Sequence, residues 1–149
     1  MLLRSKAAAF GFAATPELPN IWAALMELKV RDAKVSLVTV VDGTTSLYFS
    51  TGGGMIGGGE HEKVRTANRA LLRAVQRFFE AKAFAPQAAA LPTLKDAVTF
   101  NVLTYDGIVA ARDAEKRLLQ KESPLWPLYY LGQDVITQLR TATQKKPGD

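Results

Sequence analysis

The chain's most chemically suggestive stretch is Ser50 to Glu60, STGGGMIGGGE, which packs six of the chain's eleven glycines into eight positions. Gly52, Gly54 and Gly57 give a formal G-x-G-x-x-G spacing. Such a loop cradles a pyrophosphate when it follows a parallel strand and opens a helix, so that backbone amides face the ligand. Here the preceding residues read as one arm of an antiparallel hairpin. Glu60 and Glu62 also fall in the first turn of the helix that follows, where they repel a phosphate. A Walker loop fails as well: Gly54 and Gly59 have its spacing, but Glu60 stands where lysine is required. Nucleotide binding is therefore a minor alternative. The glycine triplets instead bracket Met55-Ile56, and the pattern describes a hinged flap with an apolar tip, carried by Gly54, Met55, Ile56 and Gly57.

Other reactive residue types are sparse. There is no cysteine, which excludes disulfides, thiolate metal sites and a cysteine nucleophile. His61 is the only histidine, and His61-Glu62-Lys63-Val64-Arg65 departs from the zinc-protease pattern where Arg65 replaces the second histidine. General-base candidates reduce to carboxylates such as Asp42, Asp106 and Asp113, of which the first two are explained as turn residues. No catalytic residue, metal or cofactor is assigned. Two further features suggest surfaces rather than chemistry. Arg65, Arg69, Arg73 and Arg77 recur every four residues opposite an apolar helix side, either as a solvated face supported by Glu62 and Glu80 or as a basic surface for an acidic protein, nucleic acid or anionic membrane. Trp126, Tyr129 and Tyr130 cluster at the start of the last helix as core packing or interface anchors.

The elements that position these residues follow from periodicity and turn chemistry. Asn20 reads as the cap of a helix through Ile21 to Lys29, with Ile21, Leu25 and Leu28 on one side. Two hairpins follow from β-branched and aromatic runs flanking Asp42-Gly43 and Asp106-Gly107, because Asp-Gly tolerates the positive φ of a tight turn. Glu60 to Ala83 forms one long helix with Val64, Ala67, Asn68, Leu71, Val75, Phe78 and Phe79 on its apolar side. Phe84 to Pro92 is a connector, and Asp113 to Glu122 reads as a short helix, an exposed loop or a third strand. Ser123-Pro124 opens the final helix, with Leu128, Leu131, Val135 and Leu139 in register. At 149 residues the chain is one domain, 1–149, with a flexible arm over 1–16 and a frayed tail over 144–149. A cleaved targeting peptide at the N-terminus is the lesser alternative to the arm.

Taken together, these elements form an α+β fold, an antiparallel sheet of two Asp-Gly hairpins flanked by helices in the order αββαββα. From Asn20 to Arg140 this layout resembles profilin-like domains, and among them the roadblock/dynein light chain family. The stretches that carry the resemblance are VSLVTVVDGTTSLYFS, the GGGMIGGG loop with EHEKVRTANRALLRAVQRFF, VTFNVLTYDGIVAARD and PLYYLGQDVITQLR. It implies a non-catalytic homodimer that scaffolds or regulates a protein partner, and it supplies no catalytic residues. The expected function is thus a cytoplasmic, dimeric protein-binding module. The alternative is a small-ligand or phosphate-metabolite site, possibly enzymatic, under the Gly52 to Gly59 flap.

Overall fold

The structure, a computed structural model, describes residues 2–55 and 57–144. Its organising element is β1 (Ile21–Val30), which replaces the helix expected over 21–29. The residues there are good helix formers, but Ile21, Trp22, Ala23, Ala24, Met26 and Leu28 are all buried, and strand alternation sends them to both sides. A run that is apolar on both faces suits a central strand covered on both sides. Asn20 does not cap a helix. Its side-chain oxygen accepts a hydrogen bond from Gln76 Nε2 at 2.8 Å, and its backbone N–H donates to Gln76 Oε1 at 3.1 Å.

Both expected hairpins form. β2 (Ala33–Val40) turns through Asp42-Gly43 into β3 (Thr45–Phe49), with Gly43 at φ +96° and the Thr44 N–H donating to Asp42 Oδ1 at 2.9 Å. β6 (Ala97–Thr104) turns through Tyr105-Asp106 into β7 (Gly107–Ala114). Two short strands complete the edges, β4 (Gly54–Met55) beside β3 and β5 (Ala85–Gln87) beside β7. Among the described residues these strands make one seven-stranded sheet in the order β4-β3-β2-β1-β6-β7-β5, with every neighbouring pair antiparallel. The element order is therefore αββββαβββαα rather than αββαββα. Asp113 and Ala114 end β7, and the charged segment that follows forms a short helix, α3 (Glu115–Leu119), not a third strand.

One sheet face is covered by α2 (Glu62–Glu80) and α4 (Trp126–Gln144). The expected apolar side of α2 is the buried one: Val64, Ala67, Asn68, Leu71 and Val75 are buried, while Phe78 and Phe79 pack at its margin. Leu128, Val135 and Leu139 do the same for α4, with Leu131 partly buried. Helix α4 crosses β1 at Gly132, where an added Cβ would lie 2.5 Å from the Met26 sulfur. No helix among the described residues is long and apolar enough to cross a membrane.

The opposite face is covered in two parts. Residues 2–9, within the stretch expected as a flexible arm, form α1 (Leu2–Ala9), whose Ala7 is buried with Trp22, Ala23, Tyr105 and Phe12. Trp22 Nε1 donates to Thr104 O at 3.1 Å, so the indole is satisfied inside this cluster. Farther along the sheet, Asn101 clamps the connector before β6, accepting from Leu91 N–H at 2.8 Å and donating to Leu91 O at 3.2 Å. Of the tail expected to fray over 144–149, Gln144 ends α4 and residues 145–149 lie outside the described residues.

The Asp42-Gly43 hairpin is pinned to α2 by Asn68, whose amide donates to Thr44 O at 3.1 Å and Thr45 Oγ1 at 2.8 Å. Asn68→Ala leaves the buried Thr45 Oγ1 without its donor, while Thr44 O keeps the bond from Val40 N–H, and is expected to destabilise the fold by about 1–3 kcal/mol. Urea unfolding checks this as a lower midpoint at unchanged slope.

Candidate functional site

The glycine flap is held against its own hairpin. Met55 pairs with Leu47 and Gly54 with Tyr48 as β4 lies along β3. Glycine is needed here for closeness as well as for turning: a Cβ at Gly54 would lie 2.4 Å from Leu47 O, and one at Gly59 would lie 2.6 Å from Gly43 O. Gly52, Gly53 and Gly57 take φ of +106°, +80° and +80°, which bend the chain on either side of the tip. A single 3₁₀ turn, Gly58–Glu60, leads into α2, and Arg65 Nη1 donates to Gly59 O at 2.9 Å. Met55 is partly buried and packs on the main core; Ile56 lies outside the described residues.

Beneath Met55 a groove of about 680 Å³ opens between the sheet and α4. Its apolar walls include Leu28, Val35, Leu47, Phe49, Met55 and Ile136. On the α3/α4 side the lining is polar, with Glu115, Tyr129 and Gln133 near the start of α4 and Arg140 about three turns, roughly 16 Å, farther along the helix. Tyr129 donates its hydroxyl hydrogen to Glu115 Oε2 at 2.7 Å. Burial, reinforced by the Glu115 carboxylate, raises the Tyr129 hydroxyl well above its ordinary value, so it stays protonated and serves as a fixed donor. The volume and the mostly apolar walls fall within the range of small-molecule pockets.

Arg65, Arg73 and Arg77 of the arginine stripe are exposed, as a solvated face requires, while Arg69 is partly buried. Arg65 ties down the flap, and Arg73 pairs with Glu17 of the segment between α1 and β1. Arg69 is half-buried between a recess of about 460 Å³, shared with Arg65, Arg73 and the Asp42-Gly43 turn, and a smaller one lined by Phe12 and Tyr105. Arg77 is exposed. Among the described residues, neither Glu62 nor Glu80 pairs with the stripe.

The aromatic trio divides between two environments. Tyr129 faces the groove, whereas Tyr130 and Trp126 meet edge to face at 5.7 Å on the outer side, with Lys121 Nζ 4.7 Å from the Trp126 ring centre. The candidate acids are taken up locally. Asp42 holds its turn, and Asp113 accepts from Ala114 N–H at 2.8 Å and Arg117 Nε at 3.0 Å. His61 is exposed ahead of α2 with no side-chain capping bond. Among the described residues no group of three His, Asp or Glu side chains is placed to hold a metal.

Sequence reasoning missed Glu27, a carboxylate only 6% exposed at the middle of β1. Ser36 Oγ donates to it at 2.8 Å and Asn101 Nδ2 at 3.1 Å, and Lys34 Nζ pairs with it at 3.1 Å. Its helical assignment hid the alternation Leu25, Glu27, Lys29 that would have placed it on the sheet's second face. Its partners anchor the connector through Asn101, which is a structural use of the charge. Comparison with protein-family models, curated proteins and solved structures found no match to this chain.

The hydrogen bond from Arg73, and then its charge, lower the Glu17 carboxyl below its ordinary 4.5. A carboxyl depressed in the folded state adds stability above its unfolded pKa, and that contribution is lost as pH falls through the lowered value. Arg73→Ala is expected to return Glu17 upward towards 4.5, measured by carboxyl ¹³C NMR titration. An unmoved Glu17 would show that the pairing does not govern it.

Proposed function

We propose that the protein is a non-catalytic binding module whose ligand site is the groove beneath the glycine flap. The supporting observation is the groove itself, about 680 Å³ of mostly apolar lining closed on one side by Met55. It favours the small-ligand alternative over a phosphate site, because the walls are apolar and the flap's glycines serve backbone contact with β3 and the Asp42-Gly43 turn. The polar cluster at α3/α4 supplies orientation, with Tyr129 as a donor committed to Glu115. The sole histidine lies outside this lining, and Tyr129 is held in its protonated form as a donor to Glu115.

The test is binding of N-phenyl-1-naphthylamine, an uncharged fluorophore that brightens in apolar sites. Saturable binding is expected, and Ile136→Trp, which fills the groove from α4, should weaken it at least about tenfold, equivalent to about 1.4 kcal/mol. Circular dichroism confirms that the variant is folded. Met55→Glu gives an independent check from the flap side. Binding that is unaffected by both variants would rule the groove out.

A second reading, a roadblock-like regulatory homodimer in the cytoplasm, draws on another surface. Leu119 and Tyr130 are 52% and 39% exposed; Tyr130 meets Trp126 edge to face and donates to Leu119 O, which gives an apolar patch suited to a second copy or a protein partner. Sedimentation should then show a dimer that Leu119→Asp dissociates. A strict monomer at high concentration would exclude this dimer.

A further inference from the structure

We propose that Arg69 and Arg73 form a site for a phosphoryl group, separate from the groove, which the Glu17 carboxylate fills in the free protein. The two arginines stand one turn apart on α2 and line the same recess of about 460 Å³ beside the Asp42-Gly43 turn. Both act on one carboxylate. Arg73 Nε donates to Glu17 Oε1, and this bond, with the charges of Arg73 and Arg69, holds the Glu17 carboxyl below its ordinary 4.5. Arg69 itself is partly buried, and among the described residues it makes no hydrogen bond or ion pair. Its guanidinium N–H groups are therefore donors that Glu17 leaves unused. A phosphoryl dianion has the additional charge and the third terminal oxygen to engage both guanidinium groups, whose planar forks suit phosphate oxygens.

Displacing Glu17 asks little of the fold. Leu18 beside it is buried and donates its N–H to Thr15 Oγ1 at 3.0 Å, so the backbone stays anchored while the exposed Glu17 side chain swings away. An exposed ion pair contributes little to stability, and the Glu17–Arg73 contact yields to a stronger anion. Arg65 adds a third positive charge to the lining, with its Nη1 engaged by Gly59 O. One acid on the lining opposes the ligand, Asp42, whose Oδ1 accepts from the Thr44 N–H. Arg69 also borders a smaller recess of about 190 Å³ with Phe12, Val41 and Tyr105, which gives the body of a phosphomonoester an apolar place to lie.

The experiment titrates the full chain with inorganic phosphate and with phenyl phosphate at mildly alkaline pH and fixed low ionic strength, reading affinity by calorimetry and the arginine Nε–H resonances by ¹⁵N NMR. Saturable binding of both is expected, with the Arg69 Nε–H resonance shifting as it gains an acceptor. Tighter binding of phenyl phosphate assigns a monoester whose body uses the Phe12 recess, whereas equal binding assigns free phosphate. Arg69→Gln should weaken either ligand by at least about fivefold, with the fold intact by circular dichroism. Glu17→Gln removes the internal competitor and Asp42→Asn removes the opposing charge, so each should tighten binding by at least about twofold, a gain that misfolding does not produce. The site is overturned by the absence of saturable binding, by affinity indifferent to Arg69→Gln, or by an Arg69 Nε–H resonance unmoved at saturation. An oligouridylate that binds more tightly per phosphate than phenyl phosphate, with affinity falling steeply in salt, overturns the small-ligand assignment in favour of a nucleic-acid backbone.

Discussion

The fold depends on covering both faces of β1. This strand sits between β2 and β6, and its buried side chains alternate between two apolar environments. Met26 and Leu28 meet the α2/α4 layer, whereas Trp22 and Ala23 meet α1 and Tyr105. A one-sided sheet would leave one of these sets in water, at roughly 25 cal/mol for each Å² of apolar surface. The two helices, the α1 segment and the clamped connector all follow from that requirement. The second face also carries a polar group, Glu27, whose burial is matched by donors from β2 (Ser36, Lys34) and β6 (Asn101).

The candidate site grows out of this architecture. Helix α4 approaches β1 closely at Gly132, but beside that crossing the helix and the sheet separate towards β2 and β3, and the groove occupies the gap. The flap gives it a wall because glycine at 54 lets the chain lie against Leu47 O, which an added side chain would prevent. The loop that looked most like a phosphate cradle thus contributes an apolar side chain, while its glycines serve backbone contact with the hairpin. One end of the loop is paired to the β2/β3 hairpin through β4, and the other is held to α2 by Arg65 through Gly59 O.

The arginines show how local regularity conceals different uses. A four-residue repeat places Arg65, Arg69 and Arg73 along one side of α2, yet each meets a different neighbour: the flap, two recesses, and Glu17. The aromatics behave similarly. Tyr129 and Tyr130 are adjacent in sequence but about 100° apart around the helix, so one enters the groove and the other faces outward beside Trp126.

Local signals in the sequence were sufficient for the two Asp-Gly hairpins, for α2 and for most of α4, since a turn dipeptide between β-branched runs and a sustained helical period need no distant partner to be read. They also singled out Met55, which packs on the core. They misassigned β1, because Ala, Leu, Met, Glu and Lys favour a helix and only burial on both sides reverses that preference. Glu27 was lost with it. A site under the flap was one reading of the sequence, but the groove's lining was not legible, since it is drawn from residues between Leu28 and Arg140 that meet only when β1, β2, β3, β4 and α4 pack. Sequence determined which segments turn and which are amphipathic; tertiary structure decided which face of each found a partner, because burial is a property of the assembled layers rather than of any one of them.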